Sequence, residues 1–154
     1  MQIVLLVVGK LKERFYREAV AEYEKRLKAY ATLVIQEVDD EPDRIGEEKI
    51  MLVEGQRILS QLKERDYVIV LDRLGKQMPS QDLAKKIEEL ASFHSGRIVF
   101  IIGGSVGLSQ AVIKKANLLL SFSQFTFPHQ LMRVILIEQI YRAFRINTGA
   151  SYHK

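Results

Sequence analysis

The residues best suited to chemistry lie in two stretches late in the chain. Ile101-Ile-Gly-Gly-Ser-Val-Gly107 places three glycines after a hydrophobic run, and Ser121-Phe-Ser-Gln-Phe-Thr-Phe-Pro-His129 interleaves three phenylalanines with hydroxyls and an amide. Glycines at a strand end expose backbone N–H groups and let a ligand approach the main chain. Aromatic faces beside hydroxyls suit a flat heterocycle such as adenine. A tight turn and a half-buried strand end are the structural alternatives for the same residues. Arg133 stands near the start of the segment that follows, where it can meet a phosphate or carboxylate. His129 either braces a site beside the aromatic loop or is structural. Glu138 and Arg142, one helical turn apart, are spaced to pair with each other. The terminal Tyr152-His153-Lys154 joins an aromatic, an imidazole and an amine, a composition apt for stacking on a base and touching its phosphate. Tails of that kind also occur without a role.

Other chemistries are disfavoured. Cysteine is absent, which removes disulfides, thiolate nucleophiles and cysteine-based zinc sites. His94, His129 and His153 are scattered without metal-ligand spacing. The glycine stretch follows neither the dinucleotide fingerprint nor the phosphate loop, since no Gly-Lys-Ser/Thr closes it. The net charge of +4 permits an anionic partner. Basic residues gather at Lys10, Lys12, Arg14 and Arg17 and again towards the end, while acidic ones gather between Asp39 and Glu48. That uneven field suits docking on a polyanion, and a solvated surface looks similar.

The elements that position these residues follow from periodicity. Residues 2–8 are a continuous apolar run, the mark of a strand covered on both faces. Phe15, Ala19, Tyr23, Leu27 and Tyr30 recur at helical spacing between Lys12 and Tyr30. Thr32–Val38 reads as a second strand, and Glu47–Lys63 as a helix with Met51, Leu52, Ile58, Leu59 and Leu62 inward. Tyr67–Leu71 is a short strand ending on Asp72-Arg-Leu-Gly75, and Ser80 is a fitting cap for the next helix. A strand over 97–102, a short helix capped by Ser109 and a strand over 118–122 follow. The last helix, from Pro128 to about Ile146, is apolar around most of its circumference and calls for a partner on its second side. Such alternation predicts one α/β domain with a mainly parallel five-stranded sheet. The first apolar run lacks a basic leader and reads as a strand, so the expected location is the cytoplasm.

Taken together, Val99–Ser109, Thr126-Phe-Pro-His-Gln-Leu-Met-Arg133, Leu136-Ile-Glu-Gln-Ile-Tyr-Arg-Ala143, Tyr152-His-Lys154, Val8-Gly-Lys-Leu-Lys12 and Leu71-Asp72…Gly75-Lys76 closely resemble the large-subunit ribosomal RNA methyltransferase H family. These are small SPOUT-class enzymes that methylate N3 of a pseudouridine, and the resemblance spans essentially the whole chain. It implies an α/β fold with a C-terminal trefoil knot, an exception to the rule against knotted chains. Residues 1–154 would form a single domain, with 98–154 supplying the knot, a dimer helix and the tail. S-adenosylmethionine would lie against Leu71, Gly103, Phe122, Ser123, Gln124, Phe125, Thr126 and Phe127. The expected partners are a second copy of the chain and the large-subunit RNA of assembled ribosomes, with no membrane and no metal. His153, reaching across from the partner's tail, is the first candidate base and His129 the second. Tyr152 belongs to the same tail, and Arg133 and Arg142 would position phosphate or steady the imide anion. The alternatives are a SPOUT enzyme acting on transfer RNA and a non-catalytic ribosome- or RNA-binding protein.

Overall fold

A computed structural model describes residues 1–154. Its five strands are β1 (Gln2–Val8), β2 (Thr32–Val38), β3 (Tyr67–Gln77), β4 (Ile98–Ile102) and β5 (Leu118–Ser121). They form one sheet in the order β2-β1-β4-β3-β5, with every pairing parallel. The helices are α1 (Arg14–Leu27), α2 (Glu47–Ser60), α3 (Ser80–Phe93), α4 (Gln110–Ile113) and α5 (His129–Asn147). A single 3-10 turn, Asp43–Ile45, occupies the polar link before α2.

β1 and β4 read as unbroken apolar runs because both of their faces are covered. Ile3, Leu5 and Val7 point into a core shared with α1, α3 and α5. Val4, Leu6 and Val8 point the other way, onto Ile58 of α2 and Val112 of α4. Each fully buried aliphatic side chain in these layers contributes about 1.5–3 kcal/mol. Where β3 and β4 begin, Arg97 grips the Asp66 carboxylate with Nε at 2.8 Å and Nη2 at 2.6 Å. Burial pushes the Asp66 carboxyl up, but the hydrogen bonds from Arg97 and the Lys63 amide outweigh it and hold the group below its ordinary value.

Several expected boundaries shift for local reasons. α1 is shorter at both ends than the Lys12–Tyr30 span. Ser80 is not a cap: Pro79 takes that position and Ser80 is the first helical residue, its hydroxyl donating to Gln139 Oε1 at 2.7 Å. Ser109 does cap α4, accepting from the Val112 amide at 3.4 Å. The inward face of α2 is Ile50, Glu54, Gly55 and Ile58, whereas Leu52 faces water. β3 is the largest departure, since it continues past Leu71 to Gln77. Leu71 and Lys76 both pair with Leu120, so Asp72–Gly75 bulge out between them and the strand then resumes. Sequence periodicity stops at Leu71 because the bulge interrupts it.

Candidate active site

In a parallel sheet the carboxyl ends of the strands open on one edge, and ligands bind there. A cleft of ≈ 360 Å³ lies on that edge between the ends of β3, β4 and β5. One wall is the glycine turn after β4 and the other is the aromatic loop after β5, with His129 and Met132 of α5 closing one side.

The glycine wall is built for close approach. Gly107 has φ +85, which only glycine adopts without strain, and its amide donates to the Gly104 carbonyl at 3.1 Å. A Cβ on Gly103 would meet the Leu108 side chain at 2.8 Å. The aromatic wall is held by serines. The buried Ser121 hydroxyl has a single proton within reach of two carbonyls, Arg73 O at 2.9 Å and Ser123 O at 3.1 Å. Ser123 Oγ in turn accepts from the Phe125 amide at 3.0 Å.

Of the sequence-expected cofactor residues, Leu71, Gly103, Phe122, Ser123, Phe125, Thr126 and Phe127 all line the cleft, and Gln124 lies within the same loop. His129 lines it too. Burial holds the His129 ring below its ordinary pKa, and the Arg133 charge adds to this while Asp40 opposes it. The ring is therefore neutral near neutral pH and able to accept a proton.

Other expected site residues lie elsewhere. Arg133 is only 2% exposed. Its Nη1 donates to Glu37 at 2.8 Å and its Nη2 to the Gly9 carbonyl at 3.1 Å. The expectation that it greets a substrate phosphate is corrected: within this chain it is a buried strut tying α5 to the ends of β1 and β2, because two acceptors claim its guanidinium. Arg142 pairs with Glu138 as its spacing suggested, through Nε at 2.8 Å. Tyr152 packs edge-on against Tyr141 at 4.9 Å, and the Arg142 guanidinium lies 4.7 Å from the Tyr152 ring centre. Burial and the Glu138 charge push the Tyr152 hydroxyl up. His153 Nδ1 accepts from Arg142 at 3.1 Å, and its Nε2 lies 3.0 Å from the Gln81 amide nitrogen. With Nδ1 accepting, a neutral ring carries its proton on Nε2, so the Gln81 amide must turn its oxygen towards it. The tail thus folds onto its own α5 and α3, and neither Tyr152 nor His153 lines the cleft of the same chain.

One residue beneath the site escaped the sequence reading. Glu54 is 4% exposed, and its Oε2 accepts from the Glu41 amide at 3.0 Å. Its Oε1 has no partner and faces Gly104, where a Cβ would come within 3.0 Å of it. The signal was present: Glu54 falls between Ile50 and Ile58 at four-residue spacing, in the middle of the inward stripe. Desolvation raises the Glu54 carboxyl above its ordinary value, against the Glu41 hydrogen bond. The folded chain therefore binds this proton more tightly than the unfolded chain. The stabilising effect is complete below the unfolded value and is lost as pH rises through the folded one. Glu54→Gln should unfold at a higher temperature than wild type, with a gap that is small near about pH 5 and wider near about pH 8. Calorimetric melts at both values check it, and a gap that shrinks with rising pH contradicts it.

No group of three or more His, Cys, Asp and Glu side chains converges on a metal site, and no helix is long and apolar enough to cross a membrane.

A family model described as "Predicted SPOUT methyltransferase" matches residues 1–153. Among solved structures, a probable methylase family protein from Haemophilus influenzae superposes with TM-score 0.54 at 14% identity, covering 99% of this chain and 70% of that one. A putative methyltransferase from Legionella pneumophila, solved in complex with the bound cofactor SAM, gives TM-score 0.50 at 16% identity, over 94% of this chain and 66% of that one. The fold and the strand-end cleft define a SPOUT-class methyltransferase of the α/β-knot type. Among curated proteins, the ribosomal RNA large subunit methyltransferase H of Lactobacillus acidophilus is 51% identical over the full length of both chains. That of Bacillus pumilus is 48% identical, again over the full length of both. The chain belongs to the ribosomal RNA large subunit methyltransferase H family. It is accordingly a methyltransferase that uses S-adenosylmethionine.

The residues present fit that cofactor. The glycine turn admits main-chain contact where side chains would clash, and the aromatic wall supplies apolar cover for a flat base.

Proposed function

We propose that this chain methylates N3 of a pseudouridine in large-subunit ribosomal RNA, acting on the assembled ribosome. The observation that carries this reading is the cleft between the glycine turn and the aromatic loop, in a chain whose full length matches that family. Residues 1–154 act as one domain, with 98–154 contributing both walls, a dimer helix and the tail.

S-adenosylmethionine supplies an electrophilic methyl group on a positively charged sulfur. Leu71, Gly103 and the main chain of Phe122–Phe127 would hold it. The pseudouridine N3–H lies between two carbonyls and is weakly acidic. A base removes that proton, the freed N3 electron pair bonds to the methyl carbon, and the carbon–sulfur bond breaks with its pair left on sulfur. Holding both reactants in line supplies much of the acceleration. Within the chain, His129 is the neutral imidazole at the cleft. His153 becomes a base only where its tail leaves Arg142 and Gln81 and reaches a partner's cleft; Arg142 then stays paired with Glu138 and has its Nη1 released to meet phosphate or the imide anion. Arg133 serves indirectly, by fixing the start of α5.

A second copy of the chain completes the assembly in this reading. α5 buries Leu136, Ile137 and Ile140 in its own core and leaves Leu131, Val134, Ile135 and Phe144 half-buried. These half-buried side chains are where a second copy would pack.

The test is incubation with labelled S-adenosylmethionine and intact ribosomes, free subunits or naked RNA, followed by nucleoside analysis. N3-methylpseudouridine in the large-subunit RNA is expected. Label confined to transfer RNA overturns the reading, and cofactor binding without any transfer turns it into a non-catalytic RNA-binding role. For the tail base, His153→Ala should lower turnover by about 100-fold or more with little change in melting temperature. Full turnover in that variant returns the role to His129.

A further inference from the structure

The mouth of the cleft carries two exposed side-chain features beyond the main-chain contacts assigned to the cofactor. The first is the Asp72–Gly75 bulge of β3. Residues on either side of it pair with the same Leu120, so the chain spends four residues on an excursion that adds nothing to the sheet. The excursion is nevertheless held firmly. Asp72 Oδ1 accepts from the Leu74 amide at 3.1 Å, and the Arg73 carbonyl accepts from the buried Ser121 hydroxyl at 2.9 Å. Gly75 lies so close to β5 that a Cβ would sit 2.7 Å from the Leu119 carbonyl. What this framework presents is Leu74, 70% exposed, and Arg73, which lines the cleft and forms no ion pair.

The second feature is Phe125, 78% exposed on the aromatic loop after β5. Its amide is tied to Ser123, and the Ser121 hydroxyl lies within hydrogen-bond reach of both Ser123 and Arg73. One buried hydroxyl therefore lies between the two lips and can donate to either. Bulges beside active sites re-aim side chains, and an aromatic ring exposed at the cleft is available to stack.

We infer that these lips grip the RNA on either side of the target nucleotide: the Phe125 ring stacks on an unpaired flanking base, and the Arg73 guanidinium takes a backbone phosphate. The chemistry fits a single-stranded loop, whose splayed bases stack on aromatic faces while arginine binds phosphate. Asp72 lines the same cleft and keeps its negative charge, but its Oδ1 takes the Leu74 amide and it forms no ion pair with Arg73, whose guanidinium stays available. The inference rests on the RNA-methylation reading above and adds to it the contacts that hold the substrate's neighbours.

The experiment measures cofactor affinity by calorimetry and steady-state methyl transfer to ribosomes for wild type, Arg73→Ala, Phe125→Ala and Phe125→Trp. Loss of one stacked base or one phosphate contact should raise KM for ribosomes about tenfold. S-adenosylmethionine affinity should fall by much less than that, since the cofactor is held by the Phe125 main chain and not by its ring, and Phe125→Trp should restore KM because indole stacks at least as well. Raising the salt should weaken wild type more than Arg73→Ala, since that variant makes one phosphate contact fewer. An unchanged KM in Arg73→Ala and Phe125→Ala overturns the inference while leaving the methylation reading intact. Weakened cofactor binding, or loss of a dimer on gel filtration, overturns it by assigning the lips to the cofactor or to the second copy. Ribosomes left unlabelled by wild type overturn the RNA-methylation reading and this inference with it.

Discussion

Arg133→Ala should lower the free energy of unfolding by about 2–4 kcal/mol, among the larger losses any single substitution in this chain would cause. The side chain is nearly inaccessible and is one of the largest fully buried groups in the protein. Its removal opens a cavity beneath α5 and takes a donor from the Gly9 carbonyl. It also leaves Glu37 unpaired, although that carboxylate is 35% exposed, so water offsets part of the cost. Arg133→Lys should recover only part of the loss, since one ammonium cannot span two acceptors that a guanidinium fork reaches together. Urea unfolding measures this directly. A melting curve that superposes on wild type while methyl transfer disappears would restore Arg133 to the substrate-facing role its position in the sequence suggested.

Gly75→Ala should cost about 1–3 kcal/mol and remove most methyl transfer. Its added methyl would lie 2.7 Å from both the carbonyl carbon and the oxygen of Leu119, and 3.0 Å from the Leu120 nitrogen. These are backbone atoms of β5, so no rotamer change can make room. The bulge must lift away, breaking the pairing of Lys76 with Leu120 and Gln77 with Ser121. Since Ser121 also holds the aromatic loop, the displacement reaches both walls of the cleft. Calorimetry should show weaker S-adenosylmethionine binding together with a lower melting temperature. A stable variant with wild-type cofactor affinity would mean that the lip is decoupled from the site.

These two residues mark different limits of sequence reasoning. Arg133 was singled out as chemically interesting, yet an arginine one turn into a helix has the same local pattern whether it meets a ligand or a carboxylate brought in by another strand. Glu37 and Gly9 lie 96 and 124 positions away from it in the chain, and only folding brings them together. Gly75 lies within a strand-end stretch that was noticed, but its purpose depends on Leu119 approaching from β5. Glu54 is legible in principle, as an acidic residue within an apolar stripe, but glutamate usually marks the wet side of a helix and the pattern alone does not point to its burial.

What the sequence by itself determined is the alternation of elements, the parallel sheet and the two loops that wall the cleft. Each follows from local causes: apolar runs covered on both faces, helical periodicity, and glycines where the main chain turns. The family was legible too, because its motifs are contiguous strings of residues. Only the tertiary structure decided the strand order β2-β1-β4-β3-β5, the interrupted pairing of β3, the burial of Arg133 and the docking of Tyr152 and His153 on their own helix. Those features depend on contacts between segments far apart in the chain, and a hydrogen bond or ion pair leaves no periodic trace in either of the segments it joins.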